Sequence, residues 1–237
     1  MTPEPRVIFE DADLLVVDKP GNLVCHGASR PGQRSLADWT REHGIATPRF
    51  LNRLDRETSG AMLVTKNERA AKILGKQMLR HEIEKEYVAI CFGALESERG
   101  VIEQPIAVAT GAPVYTKRVV DAAGKPCVTE FEVEQRLKDF TVVRLKPRTG
   151  RAHQLRVHMA WLGHPIVGDK VYGADERWYL EFIKNGVTEE MLRCLLMARQ
   201  ALHAAVLSAR HPTTQEQLRW ESPLPDDMRQ FIMEHTN

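Results

Sequence analysis

The 237-residue chain is predicted to be an α+β protein with a mixed, largely antiparallel central sheet and flanking helices. Three observations carry that prediction. Strand-favouring runs at 87–92, 128–133 and 141–145 stand between helical stretches without the strict strand–helix alternation of a doubly wound parallel sheet. Gly93, Gly100, Gly124 and Pro126 punctuate those runs into short pieces, as antiparallel neighbours require. The helical stretches carry their own start and stop signals, so they read as separate elements on the sheet.

Residues 7–9 and 14–17 read as an entry hairpin around the acidic turn Glu10 to Asp13, and Lys19-Pro20-Gly21-Asn22 ends it. Ser35 is a predicted cap of a helix through His43, with Gly44 at its end. A short aliphatic strand at 61–64 follows. Asn67 then caps a longer helix whose apolar positions include Ala70, Ala71, Ile73, Leu74 and Met78. After the three strand-favouring runs, Thr149 is expected to cap a helix through Leu162, with Leu155, Met159 and Leu162 on one face and Gly163 and Pro165 closing it. Residues 174–200 form a helical excursion with Thr188 as a cap. The strand-like run 201–208, a turn at 212–215, a short strand at 218–220 and a helix from Asp226 complete the chain. No repeat, low-complexity segment or linker interrupts it, so the expectation is a single domain spanning 1–237.

Composition excludes several classes. The chain is 43% hydrophobic, enough for a sizeable core, and its 33 Lys and Arg nearly balance 32 Asp and Glu. Global charge therefore says nothing about nucleic acid, and its distribution says more. Between Arg136 and His158 there are seven basic residues and one acid, whereas 221–237 holds four acids and one Arg. Local focusing of that kind suits an RNA-binding face, and it equally suits solvated strand and helix faces. Cys25, Cys91, Cys127 and Cys194 form no CxxC pair, so neither a zinc site nor a disulfide framework is indicated, and buried thiols are expected. His153 and His158 are five positions apart and no HExxH occurs, which argues against a metal site. The first residues lack a charged segment followed by an apolar one, and the expectation is a cytoplasmic protein.

Three segments concentrate chemistry: Asn52-Arg53-Leu54-Asp55-Arg56-Glu57-Thr58-Ser59-Gly60, then Lys85-Glu86-Tyr87, then Thr149-Gly150-Arg151-Ala152-His153-Gln154-Leu155-Arg156. By itself an Asp between two arginines is usually an ion-paired surface carboxylate. Placed before a small polar turn that leads into an aliphatic strand, the same Asp stands at a strand edge that a substrate can reach.

These segments, in this order, resemble the signature motifs of the RluA-type pseudouridine synthases, and Arg-Leu-Asp-x-x-Thr-Ser-Gly is the most diagnostic. The resemblance extends from Val-Asp-Lys-Pro-Gly near the start, through Gly-His-Pro-Ile-Val-Gly-Asp at 163–169, to Leu202-His203. It implies the pseudouridine synthase fold, with a catalytic cleft across the sheet. It further implies Asp55 as catalytic aspartate, Tyr87 as active-site tyrosine, and Arg156 as the basic residue paired with the aspartate. Arg53 would help extrude the target nucleotide. Arg148, Arg151, His153 and Leu155 are expected on the substrate side, with Lys146 as a further phosphate contact. Many relatives have His where this chain has Asn52, and Asn cannot change charge near neutral pH. The S4 RNA-binding domain of some relatives has no counterpart in this sequence, so recognition is expected to rest on the catalytic domain. Relatives act on ribosomal RNA, transfer RNA or both.

The chemistry suits those residue types. Pseudouridine formation breaks the bond between ribose C1′ and uracil N1, turns the base and joins C1′ to C5, so no cofactor or metal is needed. It does need an ionised carboxylate, which an Asp with a reference pKa of about 3.9 supplies at neutral pH. A stacked uridine hides its glycosidic bond, so the nucleotide must be flipped at a cost of a few kcal/mol. A helix start at Thr149 would offer backbone N–H groups to a phosphate. Tyr87 can stack on uracil and join in proton transfer, although a strand Tyr is commonly core. The competing readings are an RNA N-glycosidase using the same Asp, and a non-catalytic RNA-binding or folding factor. The expected partner is a structured RNA, the expected state a monomer without an obligatory protein partner, and no membrane is implied.

Overall fold

The computed structural model describes residues 4–27, 34–173 and 175–236. In chain order the elements are β1 (Arg6–Glu10), β2 (Leu14–Lys19), α1 (Leu36–Glu42), β3 (Arg49–Phe50), β4 (Ser59–Thr65), α2 (Glu68–Leu79), β5 (Glu84–Phe92), β6 (Arg99–Glu103), β7 (Ile106–Val108), β8 (Arg118–Val120), β9 (Val128–Arg136), β10 (Phe140–Pro147), α3 (Gln154–Trp161), α4 (Arg177–Asn185), α5 (Glu189–Leu195), β11 (Leu202–Arg210), β12 (Gln217–Glu221) and α6 (Asp226–His235). The α+β class is as expected. The registered strand pairs are antiparallel apart from β4 with β11.

The described residues gather into two compact units, one of Met1–Tyr87 with His203–Pro225 and one of Val88–Leu202 with Asp226–Asn237. In the first, strands run in the order β1-β2-β4-β11, with β3 on β4 and β12 on β11. Leu14, Val16, Ala61, Leu63, Leu207 and Ala209 alternate along their strands and pack with Ala70 and Leu74 of α2, which places the core between helix and sheet. Both helix caps are as read from the sequence. Ser35 forms a capping box with Asp38, and the Asn67 side chain accepts from the Ala70 amide. Gly60 is required where β4 meets β11: its φ is +113°, and a Cβ there would lie 2.3 Å from the Ala204 carbonyl oxygen.

In the second unit the order is β5-β10-β9-β6, and β7 and β8 form a separate hairpin. Ile106, Val114, Cys127, Val157, Val171 and Tyr172 bury one another between that hairpin and α3. The helix expected from Thr149 starts later, at Gln154, behind a His153 in the left-handed region with φ 59°. The cause is Gln154, whose amide takes over the preceding turn. Its Oε1 accepts from the Thr149 hydroxyl at 2.8 Å and the Arg151 amide at 3.0 Å, while its Nε2 donates to the Val128 carbonyl and the Thr129 hydroxyl. Thr149 is therefore a strut in a turn, and no helix start stands there to receive a phosphate. In the helical excursion, Thr188 caps α5 as expected and Leu196 ends it in the left-handed region, while Ala174 lies outside the described residues. Three of the four thiols are buried as expected, but Cys194 is exposed because it sits on the outer face of a seven-residue helix that turns only Met191 and Leu195 inward.

Candidate active site

The segment that carries Asp55 is held from three sides within the first unit. Asn52 is buried, and its amide is engaged with the backbone of β4: Nδ2 donates to the Ala61 carbonyl at 3.1 Å, and Oδ1 accepts from the Leu63 amide at 2.9 Å. A neutral, two-ended side chain meets that demand, so this position shapes the loop. Beneath the loop lies Lys19, fully buried at the end of β2, whose ammonium donates to the carbonyls of Pro20, Leu23 and Arg56. Behind it, the Ser59 hydroxyl and His203 Nδ1 lie 2.9 Å apart, and His203 Nε2 lies 3.0 Å from the Ser222 carbonyl, which requires a proton on Nε2 and makes Ser59 the donor when the imidazole is neutral.

Along this braced segment exposure alternates. Arg53 and Arg56 point to solvent, Leu54 is buried and Asp55 is half-buried. Thr58 closes the turn, its amide donating to the Asp55 carbonyl at 3.2 Å. Tyr87 of β5 is buried, and its phenol is pushed well above its ordinary value, first by burial and second by the negative charge of Asp55. Two of the nominated residues are thus within electrostatic reach of each other.

The remaining nominated residues belong to the second unit. Arg156 on α3 is buried and forms a bidentate pair with Asp169, at 2.7 and 2.8 Å. The side chains are 8% and 0% exposed. Asp169 also accepts from the amides of Val171 and Tyr172. Its carboxyl is pushed up by burial, but the Arg156 charge and these hydrogen bonds outweigh that and hold it below its ordinary 3.8. Asp169 was not singled out from the sequence, although it closes one of the quoted motif stretches. Leu155 is buried, Arg151 is exposed with Nε donating to the Pro126 carbonyl, and His153 Nδ1 lies 2.7 Å from the Tyr172 hydroxyl.

The positive surplus counted along 136–158 is largely compensated once the chain folds. Arg148 grips Glu130 with two hydrogen bonds at 2.7 and 2.9 Å, Arg144 pairs with Glu134, and Arg136 pairs with Glu98. The antiparallel register of β9 on β10 sets acids of one strand beside bases of the other, an arrangement that a count along the chain does not see. Among the described residues no group of three or more His, Cys, Asp and Glu is arranged to hold a metal ion, and no helix is long and apolar enough to cross a membrane.

Asp55, on a braced loop before the parallel pairing of β4 with β11 and within electrostatic reach of a buried Tyr, thus stands on a mixed α+β scaffold. Comparison with solved structures gives the same scaffold: human RNA pseudouridylate synthase domain containing 1 superposes with a TM-score of 0.72 at 26% identity, covering 99% of this chain and 95% of the other. Human RNA pseudouridylate synthase domain containing 4 shares the fold, with a TM-score of 0.74 at 24% identity over 96% of this chain and 91% of that one. Residues 13–161 match the family described as RNA pseudouridylate synthase. Ribosomal large subunit pseudouridine synthase D of Haemophilus influenzae is 35% identical over 96% of this chain and 69% of its own length. The Vibrio cholerae protein of the same name is 36% identical over 96% and 70%. An uncharacterized RNA pseudouridine synthase of Bacillus subtilis is 35% identical over 95% and 71%. The chain belongs to the RNA pseudouridylate synthase family, enzymes that isomerise uridine in RNA to pseudouridine.

Proposed function

We propose that this enzyme isomerises uridine in large-subunit ribosomal RNA with Asp55 as the catalytic carboxylate. The observation that carries the reading is the placement of Asp55. It is half-buried on a loop braced by Asn52 and Lys19, and its charge reaches Tyr87. In this reading the RNA backbone is gripped, the target nucleotide is extruded with Arg53 filling the space it leaves, and Asp55 either traps C1′ or promotes elimination as the bond to N1 breaks. The base turns against Tyr87, C5 bonds to C1′ as any bond from C1′ to Asp55 breaks, and the proton lost from C5 is balanced by one gained at N1. Tyr87 acts as a neutral phenol, because burial and Asp55 both disfavour its anion. Arg156 completes the catalytic set, and Arg148, Arg151, His153 and Leu155 serve the substrate side. The ribosomal target is supported by the names of the Haemophilus and Vibrio relatives. The whole chain acts as one catalytic domain, as a cytoplasmic monomer.

The test maps pseudouridines in total RNA from cells with and without the gene. One site should disappear on deletion, return with the wild-type gene and stay absent with Asp55→Asn, which removes charge and little volume. Product analysis in vitro should find an RNA of unchanged mass. An abasic site would show a glycosidase, and turnover by Asp55→Asn would remove this residue from the chemistry.

A further inference from the structure

Tyr172 was not singled out by the sequence, yet four groups of the second unit converge on it. Its ring carries the Arg156 guanidinium 5.0 Å from the centroid. Its hydroxyl accepts the Arg118 amide at 2.8 Å and stands 2.7 Å from His153 Nδ1. Its own amide donates to Asp169, the carboxylate that grips Arg156. The ring is buried, at 8% exposure, in the apolar cluster between α3 and the β7–β8 hairpin, so it has little freedom to turn.

Each contact has a consequence. A cation over an aromatic face is attracted by the ring quadrupole, and the bidentate pair with Asp169 fixes the guanidinium plane at the same time. Arg156 is thus held by the ring and by the carboxylate together. A hydroxyl that accepts from Arg118 can still give its proton or accept a second one, so it bonds His153 Nδ1 in either tautomer of the imidazole. His153 has φ 59° and ψ 14°, and no side-chain cap bond holds it there. A non-glycine residue keeps that conformation when its surroundings enforce it, and the Tyr172 hydroxyl is one of those surroundings. The Arg118 amide roots β8, and the Arg118 guanidinium in turn fastens the carbonyls of Thr116 and Lys117 in the hairpin loop.

We propose that Tyr172 is a positioning residue for the isomerisation: its ring sets Arg156, and its hydroxyl sets His153 and the root of the β7–β8 hairpin. The proposal rests on the reading above that Arg156 serves the chemistry and His153 the substrate. The two ends of one side chain then have separable effects. The hydroxyl end governs how well RNA is held, and the ring end governs the rate once it is held.

Single-turnover conversion is measured with a transcript of the RNA segment that loses its pseudouridine on deletion, across enzyme concentrations, for the parent, Tyr172→Phe, Tyr172→Leu, His153→Ala and the Tyr172→Phe/His153→Ala double variant. Tyr172→Phe keeps the ring and should raise the half-saturating concentration about fivefold, the scale of one hydrogen bond, with the maximal rate within about twofold. Tyr172→Leu should also lower the maximal rate about tenfold, because the cation–π contact is gone. In the His153→Ala background the Phe substitution should raise half-saturation by less than it does in the parent, since the bond to His153 is already lost and only the one from the Arg118 amide remains to be removed. A general loss of packing would not give this split or this non-additivity. The proposal is overturned if Tyr172→Phe matches the parent, if Phe and Leu lower the maximal rate alike, or if the Phe and His153→Ala effects add in full. Should Tyr172→Leu fail to fold, the Phe and His153 cycle decides alone. Asp55→Asn is run alongside: its inactivity with neutral Tyr172 variants overturns this proposal only, whereas its turnover overturns the assignment of the carboxylate whatever Tyr172 does.

Discussion

Replacing Asp169 by Asn keeps the shape of the buried partner of Arg156 and removes its charge. One oxygen still accepts, but an NH2 group now faces a guanidinium nitrogen that held a carboxylate oxygen at 2.7 or 2.8 Å. Breaking one side of a pair this buried costs about 3–5 kcal/mol, and retention of one acceptor places Asn near the lower figure. For a chain of this size each kcal/mol lowers Tm by roughly 2–4 °C, so a fall of about 6–12 °C is expected at pH 7 by calorimetry or circular dichroism. The pH dependence supplies a sharper check. The Asp169 carboxyl lies below its ordinary 3.8 in the folded protein, so its contribution is complete above the unfolded value and is lost as pH falls through the folded one. The gap between parent and variant should therefore be constant near neutrality and close as the pH is taken below about 4. A variant that melts with the parent at pH 7, or a gap that widens in acid, would refute the account of this pair.

Gly60→Ala should leave little soluble enzyme, since its Cβ would stand 2.3 Å from a backbone oxygen at a φ of +113°; a Tm near the parent value would contradict the strand crossing described. In the native protein a thiol reagent should modify Cys194 quickly and Cys25, Cys91 and Cys127 only on unfolding, read by mass spectrometry. Burial pushes the Cys25 and Cys91 thiols up, which slows them further. Glu130→Gln relieves Arg148 of its carboxylate and should steepen the salt dependence of RNA affinity by about one unit of slope, with stability changed by less than about 1 kcal/mol because the pair is solvent-accessible. An unchanged slope would show that Arg148 gains no phosphate contact when it is freed from Glu130.

Much of the scaffold was legible because it obeys local rules. Ser35 and Asn67 announce their helices by capping chemistry, and the strands at 14–17, 61–64 and 141–145 announce themselves by their aliphatic and β-branched residues. The short strands β3, β6, β7 and β8 were missed, since pieces of two to five residues have little periodicity of their own and are defined by the partner they pair with. Thr149 misled for a related reason. It has the composition of a cap, but Gln154, five positions on, claims its hydroxyl. At the site, Asp55 and Tyr87 were readable as motif residues, whereas the parts of Lys19, Asp169 and Tyr172 show only in the contacts that the fold gives them. Charge was the least legible property. The acids that neutralise Arg136, Arg144 and Arg148 come from Glu98 and from β9, both outside the stretch in which the bases were counted.

The Lys19 ammonium joins the end of the entry hairpin to the loop beyond Asp55 by gripping the carbonyls of Pro20, Leu23 and Arg56. A charge sealed from water at that depth can leave only by opening both segments together. Hydrogen exchange at the amides of 21–24 and 54–58 should therefore follow one common opening event, and whatever loosens the first hairpin should blunt the catalytic loop in proportion.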